Sequence, residues 1–82
     1  MKRVSNHQIA PAWAQGRVAS SHTGNFWTDG RKLYSYNLCI GDTTEQGVKV
    51  LRDYSARGRH GFQSMTTSGH VGRARYYADI VD

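Results

Sequence analysis

The side chains of this chain best suited to binding chemistry are cations, and most of them lie between Lys49 and Arg75. This stretch carries six Lys or Arg residues against a single acid, Asp53, so its formal charge equals the +5 of the whole chain. Guanidinium groups bind phosphate through paired hydrogen bonds, and a cluster of them attracts polyanions. We expect the following residues to bind an anionic partner: Arg52, Arg57, Arg59, His60, Arg73, Arg75 and Trp27.

Within this basic stretch, Arg57 and Arg59 alternate with glycine, which lets a main chain approach a phosphate backbone closely. The competing interpretation is a solvated loop that protects a sheet edge from aggregation, and the sequence leaves both open. Arg73 and Arg75 are two apart on a predicted helix, so they point to different sides and suit an extended partner. Trp27 alternates with Phe26 on a predicted strand, and one of the two should face outward as a stacking surface.

The sequence holds no recognisable catalytic motif. Its four histidines show no metal-ligand spacing, and neither an H-E-x-x-H, a G-x-S-x-G elbow nor a P-loop occurs. We therefore expect a non-enzymatic protein with no cofactor and no metal site. A small metal-dependent nuclease is the alternative if His60, His70 and Asp53 converge in space.

Length and cysteine use limit the class of protein. The 82 residues fit one domain, 1–82, with one cysteine, Cys39, which excludes an intramolecular disulfide and a Cys-rich zinc site. Its neighbours Leu38 and Ile40 favour a small buried hydrophobe. Polar residues follow Met1-Lys2-Arg3 where a signal peptide needs an apolar run, and no stretch is long enough for a membrane span. We expect a cytoplasmic protein without membrane contact.

The elements that must position these residues begin with a short helix. Ser5 and Gln8 have the spacing of a capping box, and we expect the helix to end at Gly16, with Pro11 limiting or breaking it. Residues 17–24 lack periodicity and predict a loop. Asp29-Gly30, between strands predicted at 25–28 and 32–36, is the best hairpin signal in the chain.

The second half predicts a further hairpin and a helix. Residues 48–54 suit a third strand, residues 62–65 a returning strand, and Arg57 to His60 the basic tip between them. Thr67 or Ser68 should cap a C-terminal helix with Val71, Ala74 and Ala78 on its apolar face. The predicted class is α+β: a small antiparallel sheet of about four strands in two hairpins, with an N-terminal and a C-terminal helix on one face.

Several short motifs accompany these elements: Ile9-Ala10-x-x-Trp13-Ala14, Asn25-Phe26 before a turn glycine, Leu33-Tyr34-Ser35-Tyr36, and Ser64-x-Thr66-Thr67-Ser68-x-His70. With this spacing the chain resembles a group of small phage-encoded proteins of unknown function, which carry I-A-H-x-W-A, Y-S-Y-G, and S-x-T-T with a following His. Pro11 stands where that group has His, and Asn37 where it has Gly. The resemblance implies a source in phage or mobile-element genomes and transfers no catalytic residue.

Charge and resemblance together predict a non-enzymatic, phage-type accessory protein. By its size and context it is similar to anti-CRISPR proteins, so we expect it to bind and inhibit a host nucleic-acid-handling or defence complex through its basic surface. The expected partner is a host nucleoprotein complex or an acidic protein surface in the host cytoplasm. A direct DNA- or RNA-binding regulator is the alternative. The sequence leaves the oligomeric state open.

Overall fold

One seven-stranded sheet and two helices make up the computed structural model, which describes residues 3–82. The strands lie in the sheet in chain order, and their bounds are β1 (Arg3–Val4), β2 (Val18–Ser21), β3 (Phe26–Asp29), β4 (Leu33–Ser35), β5 (Leu38–Thr43), β6 (Lys49–Leu51) and β7 (Ile80–Val81). A 3-10 turn (Asn6–Gln8) leads into α1 (Ile9–Ala14), and α2 spans Met65–Arg75.

The sheet is mixed, and its two parallel pairs explain where the helices lie. β1 pairs with β2 and β6 with β7 in parallel, while β2 to β6 form an antiparallel meander. Parallel neighbours cannot be joined by a tight turn, so each pair needs a crossover connection. α1 connects β1 to β2, and α2 lies in the connection from β6 to β7.

The predicted sheet of about four antiparallel strands is therefore wrong, although the α+β class holds. Residues 17–24 contain β2 instead of a loop, and residues 62–65 form no strand. The Ser64 Oγ accepts a hydrogen bond from the Thr67 backbone N–H at 3.1 Å, so α2 begins three residues earlier than Thr67 capping would require. The chain beyond α2 adds a further strand that was not predicted, since Ile80 and Val81 form β7.

The predicted N-terminal helix is confirmed, and Pro11 does not break it. The Gln8 side chain accepts a hydrogen bond from the Ser5 backbone N–H at 3.3 Å, as a capping box requires. Pro11 is the third residue of α1, within the first turn, where backbone N–H groups have no helical acceptor to lose. The helix ends before Gly16, whose φ of 71° only glycine adopts readily.

The first predicted hairpin is also confirmed. The Asp29 carboxylate accepts hydrogen bonds from the backbone N–H groups of Arg31 and Lys32 at 3.0 and 2.7 Å, and Gly30 has a φ of 97°. The strand predicted at 32–36 ends at Ser35, because the chain turns at Tyr36, which has a φ of 56°, and the next strand begins at Leu38. β4 and β5 are consequently a second tight hairpin rather than one strand.

The core lies between one face of the sheet and the two helices. Four residues of α2 at helical spacing are buried, namely Thr67, His70, Val71 and Ala74, and they pack with α1 over the sheet. The molecule measures 31 × 31 × 19 Å, and its short dimension accommodates one sheet and one helical layer. No helix of residues 3–82 packs on the opposite face of the sheet. None of these helices combines the length and apolarity that a membrane crossing needs.

Candidate nucleic-acid interface

The structure divides the predicted binding residues between two surfaces. Five of them surround the end of α2 and the strand β7, and we call this group the basic edge: Arg57, Arg59, His60, Arg73 and Arg75. The other two, Trp27 and Arg52, lie on the face of the sheet that no helix covers, which we call the open face. The residues predicted as one binding site therefore lie on two separate surfaces, which are held in place by different interactions.

Asp53 fixes the basic edge at its centre. One carboxylate oxygen accepts hydrogen bonds from the Ser55 hydroxyl and backbone N–H, and the other accepts from the Arg75 guanidinium at 2.8 Å. The Asp53 carbonyl accepts from the His60 backbone N–H at 3.1 Å. Burial raises the pKa of Asp53, but the hydrogen bonds from Ser55 and Arg75 outweigh it, and the pKa lies below its ordinary value.

Asp82 binds the other side of the same loop. Its carboxylate lies 3.5 Å from the Arg59 guanidinium and 3.1 Å from His60 Nε2. The His60 ring also packs against Tyr54, with 5.1 Å between the ring centroids. The predicted basic hairpin tip is thus wrong: these residues form a turn-containing loop folded against the C-terminal strand.

The basic edge keeps cations for a partner after these internal contacts. Arg57 and Arg73 are exposed, and neither takes part in an ion pair or side-chain hydrogen bond among residues 3–82. Tyr76, 87% exposed, follows Arg75 at the end of α2 and contacts Tyr77 edge to face. An exposed aromatic ring next to arginines is an arrangement that nucleic-acid-binding surfaces use. The sequence signal for Tyr76 was the run Arg-Ala-Arg-Tyr-Tyr at 73–77.

One cation of the basic stretch is withdrawn from the surface. Lys49 is only 7% exposed; its Nζ donates a hydrogen bond to the Thr43 hydroxyl at 2.7 Å and lies 5.5 Å from the Trp13 ring centre. Burial lowers the pKa of Lys49, and the nearby Asp79 carboxylate opposes part of that shift. Adding the charges along the sequence therefore overstates the positive charge that is exposed at the basic edge.

On the open face, strand register places five side chains in one line across the sheet, and Arg52 reaches the end of that line; we call these six residues the cross-strand row. Pairing sets Arg3 opposite Ser20, Ser20 opposite Trp27, and Trp27 opposite Tyr34. A register shift between Leu33 and Tyr34 sets Cys39 opposite Tyr34, and the Arg52 guanidinium then donates to the Cys39 carbonyl at 3.2 Å. The members, in order, are Arg3, Ser20, Trp27, Tyr34, Cys39 and Arg52.

Trp27 and Tyr34 form a stacked pair in the middle of this row. Their ring centroids are 4.0 Å apart and their planes differ by 9°. The Trp27 Nε1–H donates a hydrogen bond to the Tyr36 carbonyl at 3.0 Å, so the indole is held in one orientation. Phe26 is fully buried on the other face, as the alternation along β3 requires.

Comparison of the chain with protein-family models, with curated proteins and with solved structures finds no match in any of the three. The resemblance to phage-encoded proteins accordingly stays a prediction from its motifs.

Those motifs do meet in space, in a buried network that sequence reasoning did not predict. The Ser35 hydroxyl shares hydrogen bonds with the Thr67 hydroxyl at 2.9 Å and with His70 Nδ1 at 2.7 Å. The His70 ring stacks on Phe26 with 4.2 Å between centroids and 2° between planes. Burial, with a smaller effect from Arg73, lowers the pKa of His70 to about 4, so the ring is neutral at pH 7. Ser35 is fully buried, so this hydroxyl joins α2 to the sheet and reaches no substrate.

The residues proposed for a metal-dependent nuclease do not come together. His60 lies beside Asp82, whereas His70 lies beneath the sheet against Phe26. Within residues 3–82, no three His, Cys, Asp or Glu side chains are placed to hold a metal ion. Cys39, expected to be buried, is half-buried on the open face, where its thiol donates to the Gly41 carbonyl at 3.2 Å.

Proposed function

We propose that the protein is a non-enzymatic binding protein whose basic edge docks on a polyanionic partner. The observation that carries the proposal is the excess of cations held together at this edge. The carboxylates of Asp53 and Asp82 bind Arg75, Arg59 and His60, while Arg57 and Arg73 face solvent. A surface of this kind attracts phosphate groups over a distance set by the ionic strength.

The class of partner we favour is a host nucleic-acid-handling or defence complex, which the protein would inhibit by occupying its nucleic-acid-binding or guide-containing surface. The resemblance to small phage-encoded proteins supports this context. The charge supports it too, because a basic protein is attracted to the nucleic acid of such a complex or to an acidic protein face. A host cytoplasm is the location that this proposal implies.

Direct binding of DNA or RNA is the second candidate, and the Trp27–Tyr34 pair favours it. Two aromatic rings on an uncovered sheet offer base-stacking surface that a purely electrostatic contact does not need.

Capture from host lysate tests the proposal. The tagged protein is compared with an Arg57→Glu/Arg59→Glu variant and with Arg17→Glu as the control, because Arg17 is exposed and, within residues 3–82, its guanidinium bonds only to the Gln15 side chain. We expect the double variant to lose its partner and the control to keep it at equal thermal stability. Equal capture by all three proteins would show that the basic edge is not the docking site.

Nuclease treatment of the lysate separates the two candidates. A discrete protein partner that survives the treatment supports an inhibitor of a host complex. Capture of nucleic acid alone, lost after the treatment, supports direct binding to DNA or RNA.

A further inference from the structure

We propose that the cross-strand row on the open face binds single-stranded nucleic acid by stacking unpaired bases against Trp27 and Tyr34. The inference rests on the proposed function, since the basic edge supplies the attraction to a polyanion. It adds the class of ligand, a strand with unpaired bases, and a second contact surface about which net charge says nothing.

The rings of Trp27 and Tyr34 are accessible to a ligand. Both helices pack on the core side of the sheet, and Trp27 and Tyr34 lie on the other side, half-buried at the centre of the row. Their neighbours in the row are small: Ser20 is opposite Trp27, and Cys39 is opposite Tyr34. Among residues 3–82, neither ring stacks on a third aromatic ring and neither lies under a Lys or Arg cation, so a planar base can extend the stack.

The Trp27–Tyr34 ring pair is already ordered before a ligand binds. The Trp27 indole N–H is bonded to the Tyr36 carbonyl, and the rings hold each other in parallel planes at 4.0 Å. Binding costs little side-chain entropy at such a site. Because its indole N–H already donates to a carbonyl of the protein, Trp27 contacts a base only through its π surface. Every base has a π face that can stack on it. We therefore expect little sequence preference.

The charges of the row also favour a nucleic acid as its ligand. An arginine stands at each end of the row, Arg3 on β1 and Arg52 beyond Cys39, and the row contains no acid. The depression beside Arg52 holds two acids, Asp42 and Glu45, and Arg31 lines it as well, with its guanidinium 3.8 Å from the Asp42 carboxylate. Arginines flanking an aromatic pair fit phosphates flanking stacked bases. A second copy of this face would instead set like charges against each other.

The test uses the unmodified protein and three labelled probes of equal length, roughly a dozen nucleotides, which lies within the usual range of single-strand sites. The probes are oligothymidylate, an abasic strand with the same phosphates but no bases, and a DNA duplex. We expect oligothymidylate to bind about tenfold more tightly than the abasic strand, the ratio for roughly one stacked base. We expect it to exceed the duplex as well, since paired bases are not free to stack.

Tryptophan emission adds a direct readout. Trp13, a residue of α1, is fully buried, so quenching on addition of oligothymidylate reports Trp27. Trp27→Leu should lose about tenfold in affinity for oligothymidylate and little for the abasic strand. Phe62→Ala is the control, because Phe62 is an exposed aromatic residue outside both the row and the basic edge. Should Trp27→Leu fail to fold, Tyr34→Leu and the emission of the unmodified protein give the same information.

The outcomes separate this inference from the proposed function. Equal affinity for oligothymidylate and the abasic strand, both weakened by Arg57→Glu/Arg59→Glu, would overturn stacking and leave the basic edge intact. Binding of neither strand would overturn both ideas for naked nucleic acid. A protein that dimerises and binds no oligonucleotide would assign the open face to a second copy and overturn the inference.

Discussion

The basic edge and the open face differ in what holds their side chains in place. At the edge, long arginine side chains are held by carboxylates in contact with water, as in the Arg75–Asp53 pair, whose arginine is 48% exposed. On the open face, strand register and ring stacking hold Trp27 and Tyr34 without any charge. The edge thus provides long-range attraction that salt weakens, whereas the face provides short-range contact that salt hardly affects.

The largest expected effect concerns His70, which supports both surfaces from within by joining α2 to the sheet. Its native pKa of about 4 lies below the ordinary 6.5, so the unfolded chain takes up the proton first as pH falls. The contribution of His70 to the free energy of unfolding is complete above about pH 6.5 and declines toward pH 4. The total decline is about 3 kcal/mol, because each pH unit between the two pKa values corresponds to about 1.36 kcal/mol. Denaturant unfolding measured from pH 7 to pH 4 should show this decline.

A His70→Gln variant is the control for this pH effect. Its glutamine can bond to Ser35 but does not titrate, so the decline between pH 6.5 and pH 4 should flatten. An unchanged decline in the variant would assign the acid sensitivity to other groups.

Asp53→Asn is expected to have the next largest effect, and it acts on the edge alone. The substitution removes the charge that binds Arg75 and weakens the acceptor for Ser55. We expect a loss of about 1–2 kcal/mol in the free energy of unfolding, since solvent screens the half-exposed arginine. Oligothymidylate quenching of Trp27 should persist. Loss of that quenching in a folded variant would mean that the two surfaces are not independent.

Asp82→Asn should have the smallest effect and the opposite sign for binding. Backbone hydrogen bonds to Leu51 and Asp53 hold residue 82 without its side chain, so stability should change by less than about 1 kcal/mol. Arg59 and His60 lose their internal acceptor, and affinity for the abasic strand should rise about twofold. A fall in that affinity, measured by anisotropy, would argue that Asp82 positions Arg59 for the partner.

Local signals in the sequence predicted the elements that depend on local chemistry. The Asp29-Gly30 turn and the Ser5–Gln8 cap fix their own backbones through short-range hydrogen bonds, and both form as predicted. β2 and β7 could not be predicted in this way. Val18–Ser21 and Ile80–Val81 are short segments whose strand conformation depends on pairing with distant chain, including the parallel pairs made possible by the helical crossovers.

The candidate site shows the same division. The basic residues were predicted from the charge pattern of the sequence. That pattern did not predict that Lys49 is buried, or that Asp82 and Asp53 bind Arg59 and Arg75. Trp27 was predicted as an outward ring, and its partner Tyr34 follows from a register that alternation alone does not determine. Long-range pairing creates the cross-strand row, which is why the sequence predicted only two of its members, Trp27 and Arg52, as binding residues.

The most direct test of the account is the affinity of the unmodified protein for oligothymidylate and for the abasic strand over a range of salt concentrations. We expect the logarithm of both association constants to fall linearly with the logarithm of salt concentration, because the edge binds phosphates. We also expect oligothymidylate to stay about tenfold tighter throughout, because the open face stacks bases. Association constants that do not change with salt, or the absence of binding to either strand, would contradict these roles of the two surfaces.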